Sequence, residues 1–195
     1  MQCSLKILIP ALLLAVPAIA LAQGQRAFPN VGTPLSQADI QAFDRMIGPS
    51  GKELPAGRGT SKEGEVVYKE RCEVCHGVNG EGGILRRLVI GKPGQPYRGD
   101  YYGPENQDKM NGPTYYPYPT IAWDYINRAM PVPAPGSLTP NEVYSLVAFL
   151  YYRNGLIGEN DVMDQSTLPK VDMPNKNGFI PAKPVYPPEK KPSWF

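Results

Sequence analysis

Cys72-Glu73-Val74-Cys75-His76-Gly77 is the stretch on which the fold turns. Residues i and i+3 of a helical turn lie on one side of it, so the two thiols face the same way and the imidazole follows within the same turn. That separation matches two vinyl groups along one porphyrin edge, and the next residue points over the ring face. Gly77 removes a side chain where the backbone passes close to a macrocycle. The pattern predicts one haem c, attached covalently through Cys72 and Cys75, with His76 as the proximal iron ligand. Two other chemistries compete. A thioredoxin-like redox pair needs a βαβ surrounding, and the Pro-rich flanks do not suggest one. A structural zinc site takes four ligands, and apart from Cys3 near the start the chain offers only Cys72, Cys75 and His76 of the typical kinds.

His76 is the single histidine of the chain, so the opposite face of the iron falls to another donor. A methionine thioether is the usual one, a soft ligand that favours the ferrous state. Met46, Met110, Met130, Met163 and Met173 are the candidates beyond the leader. Met130 is preferred on context. Thr120 to Met130 reads as a helix that Thr120 caps, with Ile121, Trp123, Tyr125, Ile126 and Met130 at helical spacing, and Pro131 ends it. The strap Pro131-Val132-Pro133-Ala134-Pro135-Gly136 holds the thioether at low entropic cost. Met46 reads as core packing. Met110 lies in a polar loop able to swing across the distal face, and stands as the alternative.

Helices are expected on either side. Thr60 with Glu63 forms a capping box opening a helix that runs into the haem motif. Thr139, Pro140 and Glu142 open a second, carrying Val143, Leu146, Val147, Phe149 and Leu150 and stopping at Gly155. Gly64 and Tyr68 share a face of the first helix, so the last helix is expected to approach at Gly64 and pack Leu146, Phe149 and Leu150 on Tyr68. Ser36 and Asp39 cap a short helix in which Ile40, Phe43 and Ile47 share a face.

The chain outside this unit reads as arms. Its 195 residues include 23 Pro and 20 Gly, which excludes a coiled coil or a large sheet. The formal charge of +2 gives no electrostatic reason to expect a nucleic-acid partner. Residues 1–22 read as a cleaved export signal, with Lys6 before an uncharged run that ends in Ala20-Leu21-Ala22. That run, broken by Pro10 and Pro17, is shorter than the ~20 residues a membrane span needs. The expectation is a mature chain without a membrane span, located in the periplasm. Residues 23–59 form an N-terminal arm, 60–158 the haem domain, and 159–195 an extended Pro-rich tail. Tyr97, Tyr101, Tyr102, Tyr115, Tyr116 and Tyr118 crowd a loop that covers the haem. Arg86, Arg87, Arg98 and Arg128 are candidates to pair with haem propionates.

Gly64, Tyr68, Cys72, Cys75, His76, Met130, Pro131 and Leu146-Val147-Ala148-Phe149-Leu150 together resemble the class I cytochrome c pattern over about residues 60–155. A narrower likeness spans roughly residues 28–180. Leu54-Pro55-Ala56-Gly57-Arg58-Gly59-Thr60, Trp123-Asp124-Tyr125-Ile126-Asn127-Arg128-Ala129-Met130-Pro131 and Asn154-Gly155-Leu156-Ile157-Gly158-Glu159-Asn160-Asp161-Val162-Met163-Asp164 are similar to the cytochrome subunit of sulfane dehydrogenase in the sulfur-oxidation (Sox) pathway, and Thr167-Leu168-Pro169-Lys170-Val171-Asp172-Met173-Pro174-Asn175 fits the same group. The related sulfite dehydrogenase cytochromes are a close second. The resemblance implies a mainly α class I cytochrome c fold around one haem, with extended N- and C-terminal arms. It also implies an electron carrier that is no enzyme by itself, partnered by a molybdenum-cofactor dehydrogenase subunit, with a small cytochrome or an oxidase downstream. The competing class is a haem enzyme with an open distal site, a peroxidase or a thiosulfate-oxidising enzyme. Beyond the leader the chain has no second histidine, and no cysteine other than the attachment pair, for that chemistry.

Two features depart from the resemblance. Many sulfane dehydrogenase cytochromes carry two haems, whereas this chain has one attachment motif. Class I cytochromes tend to place a proline shortly after the motif, whose carbonyl region orients the proximal imidazole. Gly82-Gly83-Ile84-Leu85 stands there instead, and a backbone carbonyl of this loop is expected to accept the His76 Nδ1 proton.

Overall fold

The computed structural model describes residues 32–93, 95 and 112–179. The chain divides into two units, 1–40 and 41–195. Of the first, residues 32–40 are described and hold the start of α1 (Gln37–Phe43). The Ser36–Asp39 cap forms as expected: the Ser36 hydroxyl donates to Asp39 Oδ2 at 2.6 Å, and the Asp39 amide donates to Ser36 Oγ at 3.1 Å.

The second unit is built on helices. In chain order it contains β1 (Arg58–Thr60), α2 (Ser61–Arg71), α3 (Glu73–His76), α4 (Gly112–Tyr115), α5 (Thr120–Ala129), α6 (Pro140–Arg153) and β2 (Val162–Asp164). Both capping boxes are present. The Glu63 amide donates to Thr60 Oγ1 while the Thr60 amide donates to Glu63 Oε2, and Thr139 and Glu142 repeat the exchange one helix later. These bonds hold both glutamate carboxyls below their usual range. At the far end of α6 the amides of Gly155 and Leu156 donate to the carbonyls of Tyr152 and Tyr151, the reversed bonding of a Schellman stop. One cap differs from expectation. Thr120 is the first residue of α5, Pro119 occupies the cap, and the buried Thr120 hydroxyl has no hydrogen-bond partner.

Helix α6 is the centre of the core, buried without a break from Val143 to Tyr151. A helix apolar on all sides needs cover on all sides. Here α2, α5, α4 and the β1–β2 pair supply it. The approach of α2 depends on Gly64, where a Cβ would overlap the backbone carbonyl of Ser145. Four residues on, Tyr68 stacks on Phe149 with ring centroids 4.9 Å apart. Gly64→Ala is therefore expected to cost about 3 kcal/mol, the upper end for overpacking, because a helix backbone rather than a mobile side chain must yield. Chemical denaturation of the purified protein measures it; a cost under ~1 kcal/mol would mean the two helices slide apart freely.

Three buried tyrosines of the core bind irregular segments to it. Tyr68 donates to the Gly77 carbonyl at 2.7 Å, Tyr144 to that of Pro55 at 2.9 Å and Tyr151 to that of Pro119 at 2.7 Å. Desolvation pushes all three phenols up, Tyr144 to about 12.

Packing continues beyond the span expected for the haem domain. Strand β2 pairs antiparallel with β1, Gly59 opposite Met163. Met163, Leu168 and Met173 are then buried in the core, and Asn175 is buried as well. The first part of the expected extended tail, 162–175, is thus a packed element of the unit, and its tip from 180 lies outside the described residues. Met46, expected in the core, is exposed. The export signal also lies outside the described residues.

Candidate functional site

Helix α3 is a single turn, Glu73–His76, and its brevity is what places the motif. The amides of Cys75 and His76 both donate to the Cys72 carbonyl, closing the turn that sets the thiols on one side. Both cysteines are free. Burial, and next the neighbouring Cys75, push the Cys72 thiol up to about 11, so it stays protonated at neutral pH. Reactive redox cysteines show the opposite shift, which speaks against the thioredoxin-like alternative.

The loop after the turn orients the imidazole. His76 Nδ1 lies 2.6 Å from the Arg86 carbonyl oxygen. A carbonyl only accepts, so Nδ1 carries the proton and Nε2 presents a lone pair. The acceptor falls one residue beyond the expected stretch 82–85. Within that stretch, the Gly82 and Leu85 amides donate to the His76 and Cys75 carbonyls at 2.8 and 2.9 Å.

Helix α5 delivers the thioether. Met130 is its C-terminal cap, with its amide on the Ile126 carbonyl at 3.1 Å and its own backbone already extended. The strap beyond, starting with the cis Met130–Pro131 peptide, folds into successive turns from Pro131 to Ser137. Two adjoining cavities, of about 310 and 650 Å³, share His76, Met130, Leu85, Leu88, Ile126, Val132 and Leu150 in their walls. The smaller also has Cys72, Cys75, Tyr68, Leu138 and Leu146, and the larger Arg86, Arg87, Tyr115, Tyr116 and Tyr125.

The structure thus brings Cys72, Cys75, His76 and Met130 to one apolar space. Met163 and Met173 are packed in the core instead, and Met110 lies outside the described residues. Of the four arginines proposed for propionates, Arg86 and Arg87 line the larger cavity and Arg98 is outside the described residues. Arg128 has a different role: its Nε donates to Asp124 Oδ1 at 2.9 Å and its Nη2 pairs with Asp124 Oδ2, one turn back on α5. The same carboxylate accepts the Ile47 amide, so this pair holds the backbone at Ile47 to α5. Tyr115 and Tyr116 do face the space, Tyr118 is exposed, and Tyr97, Tyr101 and Tyr102 are not described.

Three contributors were not apparent from the sequence. Tyr125 lines the larger cavity from α5. Asn154 and Asn175 are buried asparagines that hold its walls: Asn154 bonds the 88–91 segment, and Asn175 Nδ2 donates to the Tyr115 carbonyl at 2.5 Å. Only the position of Asn154 just before Gly155 hinted at a role, that of a helix stop.

A helical unit that closes two apolar cavities over paired thiols, an oriented imidazole and a thioether defines a c-type haem domain. Comparison with known families agrees: residues 61–153 match the cytochrome c family, and the chain contains a cytochrome c domain of the class I fold. No curated protein matches. Among solved structures, the chain is similar to one titled the sulfane dehydrogenase SoxCD from Paracoccus pantotrophus, at 27% identity and a TM-score of 0.65, over 79% of this chain and 72% of that one.

A cytochrome c domain is an electron-transfer module that holds haem c covalently. The residues present fit that group. The donor set is two free thiols with an imidazole whose proton is fixed on the far nitrogen, and the lining around them is apolar. Among the described residues no cluster of three or more His, Cys, Asp or Glu side chains is placed to hold a metal ion. No helix among them is long and apolar enough to cross a membrane.

Proposed function

We propose that this chain is a mono-haem c-type cytochrome of the periplasm that carries single electrons. It serves as the electron-accepting subunit or partner of a molybdenum-dependent sulfane or sulfite dehydrogenase, and hands electrons to a small cytochrome or an oxidase. The observation that carries the reading is the convergence of His76 and Met130 on the same two cavities, with Cys72 and Cys75 in the lining of the smaller. Cys72 and Cys75 would hold the group by thioether bonds, and His76 Nε2 and Met130 Sδ would be its axial ligands. When bound, haem c supplies a reversible one-electron couple.

The chain's own residues tune that couple. The Arg86 carbonyl strengthens His76 as a donor, while the Met130 thioether and the apolar walls favour the reduced state. With His76 and Met130 both serving as ligands, no open position would remain for a substrate, which favours a carrier over a haem enzyme. The SoxCD likeness supports the choice of partner, and residues 1–22 support export.

The test is native purification from an exporting host. One tetrapyrrole added in mass to a chain starting near residue 23, together with a co-purifying molybdenum subunit, is the expected result. An exported chain lacking the added mass overturns the cytochrome reading; a haem-loaded chain that never associates with a molybdenum subunit overturns the partner.

A further inference from the structure

We infer that Asn154 is the positioning residue for the proximal imidazole, acting through the 85–91 loop; this rests on the haem reading above. Asn154 is fully buried at the end of α6. Its Nδ2 donates to the carbonyls of Leu88 and Leu150 at 2.9 and 2.8 Å, and its Oδ1 accepts the amides of Ile90 and Gly91 at 3.0 and 3.3 Å. Two donors and two lone pairs are the capacity of a primary amide, so the side chain is matched to this junction. One bond anchors it in α6 and three grip the loop.

Arg86 hangs between two tethers of that loop. On one side the Leu85 amide is fixed to the Cys75 carbonyl, and on the other Leu88 is fixed by its carbonyl to Asn154 and by its amide to the Gly80 carbonyl. The Arg86 carbonyl, 2.6 Å from His76 Nδ1, is held in place by these contacts. Between His76 and Pro93 the chain has no proline, so no ring limits the backbone that presents the acceptor. Hydrogen bonds from a buried amide do that work here. Aspartate keeps the two acceptors but loses the donors to Leu88 and Leu150. Alanine leaves buried amides and carbonyls unpaired, and the segment is then free to drift.

A firm Nδ1–H bond makes an imidazole a stronger donor through Nε2, so loosening it weakens the ligand and raises the reduction potential. The test uses the haem-loaded protein in its reduced state, read by proton–nitrogen NMR with deuterium exchange. In the unsubstituted protein the His76 Nδ1 proton and the Ile90 and Gly91 amides are expected to open together, with protection equal within about threefold and the same denaturant dependence. Asn154→Ala is expected to reduce protection of the Nδ1 proton at least about tenfold and to raise the potential while the Met130 signature persists. Leu168→Ala, a truncation of an equally buried core side chain that lines neither cavity, lowers the melting temperature and leaves both readouts in place.

Independent opening of the Nδ1 proton from Ile90 and Gly91 overturns the inference, and needs no variant that folds. So does an Asn154→Ala protein with haem attached and with protection and potential unchanged. An unsubstituted chain exported without attached haem fails at an earlier point and sinks the cytochrome reading instead.

Discussion

Replacing both attachment thiols, Cys72→Ser with Cys75→Ser, is expected to give a chain that carries no covalent haem and melts without a cooperative transition. The two cavities meet at Leu85, Leu88, Ile126, Val132 and Leu150, and these side chains have apolar cover there only if something fills the space. With nothing filling it, the smaller space, about 310 Å³, leaves its apolar walls facing water, and each Leu or Ile side chain so uncovered forgoes roughly 1.5–3 kcal/mol. Total stabilities of small domains run about 5–15 kcal/mol. Collapse to cover these side chains would move α5 and its strap. Circular dichroism during heating, with near-ultraviolet signals for Trp123 and the core tyrosines, measures the outcome. A compact chain with a sharp melt and no haem would show that the helices sustain one another unaided.

Met130→Ala is expected to change the metal site and leave the fold standing. The weak far-red charge-transfer band of a Met-ligated ferric haem disappears, the reduced protein takes up carbon monoxide, and the potential falls by on the order of 0.1 V, within the ~0.8 V range that axial ligands span. Met110→Ala leaves band and potential nearly intact. Titration and optical spectra on both variants decide between them, and a larger effect at Met110 would reverse the assignment of the sixth ligand.

How far the sequence reached follows from the range of the interactions. Helices α2 and α6 announced themselves because capping boxes, Pro140 and the stop at Gly155 are local signals written within a few residues. The attachment motif was equally local. Gly64 was legible because its face, shared with Tyr68 and the motif, required a close neighbour. Thr120 was misplaced because Thr at a helix start is an ordinary cap, and nothing local revealed that Pro119 takes that position and that the hydroxyl is buried. Arg128 reads as a propionate candidate only if the local signal is passed over: Asp124 lies four residues before it, the spacing of an intrahelical ion pair.

The larger omissions are long-range. Asn154 reaches back more than sixty residues to the loop, and Asn175 reaches Tyr115 across a similar distance. Neither contact leaves a periodicity to read. The segment 162–175 looked like the start of a tail because its buried groups, Met163, Leu168 and Met173, are spaced five residues apart, which matches neither a helix nor a strand face. Pro density beyond residue 180 then coloured the reading of the whole stretch.

The pairing of β1 with β2 joins positions about 100 residues apart. In a helical protein most contacts are between near neighbours in the chain, which allows rapid folding; this ladder raises the contact order and makes its closure a late, entropically expensive event. The ladder is also the seam at which residues 58–60 and 162–164 meet on α6. Trimming the polypeptide at residue 158, where the family match has already run out, would remove one side of that seam and open the other.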